Sequence, residues 1–100
     1  MEDVYPLGKC SEIDVNFKKV TVVGNVDGVY DRGIYINDTQ GRCKVMNVPK
    51  NVTGLIEVYG EVNRNLEIEA RSFTPFTDSN FDFESHFQII EYFRKFKDLN

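Results

Sequence analysis

The sequence predicts an all-β fold: a small closed barrel of five strands, followed by one C-terminal amphipathic α-helix. Three observations carry that prediction. The chain has 100 residues, which suits one domain with a real core and leaves no room for two. Five short segments alternate apolar and polar side chains with the period of a half-buried strand. The C-terminal segment then changes to helical spacing, and seven of the eight phenylalanines fall between Phe73 and Phe96.

In chain order, residues 1–16 show no strong period, and Ser11-Glu12-Ile13-Asp14-Val15-Asn16-Phe17 reads as a short helical turn or a packed arm. From Phe17, Val20, Val22 and Val26 alternate against Thr21, Asn25 and Asp27. Gly24 stands where a side chain is expected, which marks a bend or a close backbone approach. Asp27-Gly28 has turn chemistry. In the second strand Ile34 and Ile36 share one face and Tyr35 takes the other, and Asp38-Thr39-Gln40-Gly41 makes a hairpin loop. In the third, Cys43 and Val45 point inward, while Arg42, Lys44 and Met46 point outward. Residues 55–64 form the cleanest strand, with Ile56, Val58 and Val62 opposed to Glu57, Tyr59 and Glu61. Asn63-Arg64-Asn65 turns the chain, and Leu66, Ile68 and Ala70 alternate with Glu67, Glu69 and Arg71. The expected core is therefore Ile34, Ile36, Val45, Ile56, Val58, Val62, Leu66 and Ile68. Pro75 should stop the ladder. Closing such short strands into a barrel of OB type removes the exposed edges of a flat sheet, and an SH3-like barrel is the rival of similar size. The barrel and its N-terminal arm are expected over 1–76 and the assembly helix over 77–100, as one structural domain.

Asp78-Ser79-Asn80 reads as a linker, and Asp82 as the N-cap of a helix over 83–97. Glu84 suits the first turn, Arg94, Lys95 and Lys97 the last, and Glu91 and Lys95 form an i,i+4 pair. On a helical wheel Phe83, Phe87, Ile90 and Phe93 form one ridge, and Ile89, Tyr92 and Phe96 a second beside it. Together the ridges cover roughly two-thirds of the circumference, against about a third for a helix lying on a core. One small barrel cannot easily cover so wide an arc. A partner chain, most simply other helices, is expected to cover part of it. The plainer alternative is a helix that plugs its own barrel and exposes some aromatics.

The net charge of −4 and pI near 4.9 argue against a chain that grips nucleic acid by itself. Tyr35, Arg42, Lys44 and Met46 occupy the strand face on which OB barrels stack single-stranded nucleic acid. That face also reads as an ordinary solvated sheet, because the neighbouring strands present Glu57, Glu61, Glu67 and Glu69. His86, the single histidine, lacks a marked nucleophile and an orienting partner, so it reads as a helix residue and no catalytic residue is assigned. Cys10 and Cys43 read as free thiols of a reduced intracellular compartment, with Cys43 in the core. With one histidine they are too few for zinc. No cofactor or metal is expected, and no phosphate-binding glycine loop occurs. No run approaches membrane-spanning length and no secretory signal is visible at the start. The glycosylation-type triplets at Asn37 and Asn51 are therefore read as chance matches.

These segments resemble the smallest subunit of replication protein A, the eukaryotic single-strand-binding trimer. The resemblance runs over about 19–97. It lies in Val23-Gly24-Asn25-Val26, in Ile34-Tyr35-Ile36-Asn37-Asp38-Thr39-Gln40-Gly41, and most specifically in Gly54-Leu55-Ile56-Glu57-Val58-Tyr59-Gly60-Glu61-Val62. Phe81-Asp82-Phe83 leading into the helix is the next most specific match. The resemblance implies an OB-fold whose C-terminal helix joins helices of middle and large subunits in a three-helix bundle. Carried over, the bundle residues are Phe83, Phe87, Ile90, Phe93 and Phe96, with Ile89, and Tyr92 lies on the same ridge. It further implies a nuclear scaffold in DNA replication, repair or telomere maintenance that meets single-stranded DNA mainly through its partners. The small subunits of telomere-capping and telomerase-associated trimers share this architecture. A stand-alone OB module using Tyr35, Arg42 and Lys44 is the second reading, and a small enzyme the third.

Overall fold

A computed structural model describes residues 7–13, 18–76 and 81–98, with 93–98 described by backbone alone. Five strands, β1 (Lys19–Tyr30), β2 (Gly33–Asn37), β3 (Arg42–Met46), β4 (Leu55–Val62) and β5 (Glu67–Pro75), precede one helix, α1 (Phe83–Asp98). The strands close into a barrel in the order β1-β2-β3-β5-β4. All neighbours are antiparallel except β3 and β5, which run parallel from Lys44 opposite Glu67 to Met46 opposite Glu69. This is the expected five-stranded OB barrel. Its core is aliphatic: Val20, Val22, Ile34, Ile36, Val45, Ile56, Val58 and Ile68 are fully buried. Each such side chain contributes about 1.5–3 kcal/mol relative to exposure. Val62 packs against the core partly buried.

Two details differ from expectation. Asp27-Gly28 is not a turn. β1 runs on to Tyr30, and the register against β2 slips between Val26 and Gly28. One long strand has to pair with β4 along 19–25 and with β2 along 25–30. A bulge supplies the bend that barrel closure demands. Leu66 is not core: it is 47% exposed and sits at φ 60°. The Asn63 side-chain oxygen accepts the backbone N–H groups of Asn65 at 2.9 Å and Glu67 at 3.0 Å. The turn thereby takes in Leu66 and β5 starts one residue later. Pro75 ends the ladder as expected: it is the last residue of β5, opposite Ile56. At the last strand position its missing N–H costs nothing, and Phe76 resumes with an N–H to the Leu55 carbonyl at 2.9 Å.

Gly24 marks a close approach, since a Cβ there would lie 3.1–3.2 Å from the Asn37 backbone. The N-terminal arm bridges to β1 at Leu7 and Thr21 and forms a 3-10 turn at Cys10–Glu12. The rest of the expected arm, 1–6 and 14–17, lies outside the described residues, as does the linker at 78–80. Asp38, only 1% exposed, ties the arm to the hairpin. One carboxylate oxygen accepts Cys10 N–H at 2.8 Å, and the other accepts Gln40 and Gly41 N–H at 3.1 and 2.9 Å.

Candidate partner-binding helix and strand face

Asp82 caps α1 as its sequence position implies. Its Oδ1 accepts Glu84 N–H at 3.0 Å, its Oδ2 accepts the Ser85 hydroxyl at 2.9 Å, and its carbonyl accepts His86 N–H at 3.1 Å. An aromatic chain seats this end of the helix on the end of β5. Phe76 meets Phe81 at 5.3 Å, Phe81 meets Phe83 edge-on at 5.0 Å, and Phe83 meets Phe87 at 5.9 Å. Such pairs are worth about 0.5–1.5 kcal/mol beyond their burial, and they explain part of the local excess of phenylalanine. His86 packs between Phe81 and Phe87, where burial lowers its pKa.

The two ridges of α1 have separate fates. Phe87 is 7% and Ile90 1% exposed within the single chain. Both face inward on one side of the helix, so the chain itself covers this part of the expected partner ridge. Lys9 helps to close that side: its ammonium lies 5.1 Å over the Phe87 ring and 3.5 Å from Glu91. Phe83 is half-buried at the start of the same ridge. Ile89 and Tyr92 face outward, 49% and 57% exposed, on a shallow apolar surface bounded by Ser85 and Gln88. The side chains of Phe93 and Phe96 lie outside the described residues.

Tyr35, Arg42 and Lys44 do come together on the strand face. Pairing places Lys44 opposite Tyr35 and Arg42 opposite Asn37. The Arg42 guanidinium stacks 3.7 Å from the Tyr35 ring centre, Tyr30 lies 5.2 Å from Tyr35, and Lys44 sits 5.6 Å above Tyr30. Arg42 is also engaged by its own chain. Its Nε donates to Asp27 at 2.8 Å, and Asn37 donates to the same carboxylate at 3.2 Å. The hydrogen bond from Arg42 is the main cause of a lowered Asp27 pKa.

Glu67 was expected among the exposed acids; it is 1% exposed instead. It accepts the Tyr30 hydroxyl at 2.8 Å, Arg32 Nε at 2.9 Å and Asn63 Nδ2 at 3.1 Å. Burial alone would raise its pKa; the bonds from Asn63, Arg32 and Tyr30 together outweigh that and hold it at about 2. Burial and the adjacent carboxylate push the Tyr30 hydroxyl upward. The β1–β2 and β4–β5 turns are thus tied across one carboxylate. The alternation in β5 hides this, because Leu66 and Glu67 exchange the environments that the period assigns them.

No family model and no curated protein matches the chain. Solved structures do. The structure of U. maydis replication protein A bound to single-stranded DNA aligns with a TM-score of 0.79 at 20% identity, covering 99% of this chain and 97% of the other. The S. pombe Stn1–Ten1 complex aligns at 0.74 and 12% identity, covering 95% and 96%. The telomere capping protein Ten1 from Schizosaccharomyces pombe aligns at 0.71 and 14% identity, covering 92% and 99%. The chain has the OB-fold, and it shares that fold over nearly its whole length with replication and telomere-capping structures.

Proposed function

We propose that this chain is the non-catalytic small subunit of a heterotrimeric single-stranded-DNA-binding complex of the replication protein A type. In this reading it joins middle and large OB-fold subunits through α1 and works in the nucleus, in DNA replication, repair or telomere maintenance. The observation that carries the reading is the outward ridge of α1, where Ile89 and Tyr92 stay about half exposed while Phe87 and Ile90 of the neighbouring ridge are buried in their own chain. A partner helix that buries them gains their transfer free energy, and helix-in-groove contacts use anchors at this spacing. Phe93 and Phe96 extend the proposed interface. Single-stranded DNA is met mainly through the partners, because Arg42 and Arg32 already hold Asp27 and Glu67. A telomere-capping trimer is the same assembly with other partners.

The test is Ile89→Glu with Tyr92→Glu in the native source, followed by co-purification and partner identification. Loss of the two larger subunits with an unchanged circular-dichroism spectrum supports the proposal, and the identities of those subunits decide between replication and telomere complexes. Normal assembly of the double variant overturns it. Anisotropy with labelled oligo-dT tests direct binding, and nanomolar affinity of the isolated chain would favour the stand-alone module.

A further inference from the structure

The two cysteines of the chain, 33 positions apart in sequence, meet inside the fold. Cys43 Sγ donates to Cys10 Sγ at 3.1 Å, with the residues 7% and 4% exposed. Each sulfur stands on a firm support. Cys43 lies in β3 opposite Ile36. Cys10 opens the 3-10 turn of the arm and is pinned by its N–H to Asp38 at 2.8 Å. A disulfide needs a sulfur separation of about 2.05 Å, so a closing movement of roughly one ångström would join them. A cleft of about 280 Å³, lined by Cys10, Cys43, Ile13, Arg42, Lys44 and Leu66, leads to the pair. Two of its walls are cationic.

We infer that Cys10 and Cys43 form a thiol–disulfide latch, closed by a small anionic disulfide such as oxidised glutathione, that fastens the N-terminal arm to β3 beside Arg42 and Lys44. The step balances as two successive exchanges. One cysteine loses its proton to solvent, and its thiolate attacks a sulfur of the oxidant. A mixed disulfide forms and one reduced thiol leaves. The second cysteine, deprotonated in turn, attacks the protein sulfur of that mixed disulfide. The Cys10–Cys43 bond forms and a second reduced thiol leaves. The protein loses two electrons and two protons, and the oxidant gains them. The contact with Cys43 and burial both raise the Cys10 pKa, so closure is slow at neutral pH and accelerates as pH rises. In a reduced compartment the latch stands open, and sustained oxidation shuts it. Closure restrains the unfolded chain by a loop of 33 positions, which raises the melting temperature by on the order of 10 °C for a domain of this size.

The full chain, folded, is incubated with oxidised glutathione and followed by intact mass and non-reducing peptide mapping. The expected result is a mass lower by two hydrogens, a peptide cross-linked between Cys10 and Cys43, and a raised melting temperature, all reversed by dithiothreitol. Cys10→Ala and Cys43→Ala should each halt at a stable glutathione adduct or remain unmodified, with no rise. The wild-type mapping decides the matter even where an alanine variant fails to fold. Both thiols remaining free after prolonged treatment would overturn the inference. So would a persistent adduct on wild type, cross-linking between molecules, or closure that lowers the melting temperature.

Discussion

The strand face and the outward ridge of α1 are the two candidate binding surfaces of this chain, and they differ in the chemistry they present: stacked and ion-paired cations on the first, exposed apolar surface on the second. On the strand face Arg42 holds an acid of its own chain, Asp27 at 2.8 Å, and in the adjacent β1–β2 turn Arg32 holds Glu67 at 2.9 Å. A phosphate must compete with those carboxylates before it gains anything. On α1, Ile89 and Tyr92 present apolar surface whose burial is favourable from the start. The two surfaces are therefore unequal, as the acidic balance of the sequence already implied, and on the strand face part of the difference lies in the ion pair that Arg42 makes with Asp27.

The largest expected effect falls on the helix. Ile89→Glu with Tyr92→Glu removes about 1.5–3 kcal/mol of burial per side chain and leaves charges unpaired in the seam. Partner affinity should fall by a factor on the order of a thousand or more. Thermal unfolding of the isolated chain should hardly move, since both side chains lie outside its core. Equal losses of stability and affinity would mean that the ridge is part of the fold.

The next effect tests how firmly the strand face is closed. Glu67→Gln should cost about 1–3 kcal/mol, because it weakens the charge-assisted bonds from Arg32, Tyr30 and Asn63 to a buried carboxylate. The folded-state pKa of Glu67 is about 2, below its ordinary 4.5. Its contribution is therefore complete above about pH 4.5 and is lost as the pH falls toward 2. Urea unfolding across that window should show the acid loss in wild type and a flatter profile in the variant.

A smaller effect belongs to Asp27→Asn, which frees Arg42. Oligo-dT affinity, read by anisotropy, should rise a few-fold with a steeper salt dependence, while Arg42→Glu abolishes the gain. No change would mean that the Arg42–Tyr35 stack itself, at 3.7 Å, withholds the guanidinium from DNA. Smallest of all is Leu66→Gly at φ 60°. Relief of the left-handed backbone should offset the added chain entropy to within about 1 kcal/mol. A loss of several kcal/mol in chemical denaturation would restore Leu66 to the core.

Much of the barrel was legible in the alternation of Ile34 with Ile36, Ile56 with Val58, and Cys43 with Val45, because period two permits one register once one face is buried. Asp82 and the helix start were legible because capping is a local interaction among Asp82, Glu84 and Ser85. The bulge at Val26–Gly28 was not, since Asp-Gly chemistry is the same in a turn and in a bend. Glu67 was not, because its partners Tyr30 and Arg32 come from a turn more than thirty positions away.

The sequence by itself determined the inward aliphatic positions of β2, β3 and β4, where strands alternate, and where the helix begins, all of them consequences of nearest-neighbour chemistry and of period. The tertiary structure alone decided which ridge of α1 keeps its own chain, which acids silence which cations, and that Cys10 meets Cys43. Those outcomes depend on which distant segments the closed barrel brings together. Hydrophobic patterning specifies a face without specifying what lies against it.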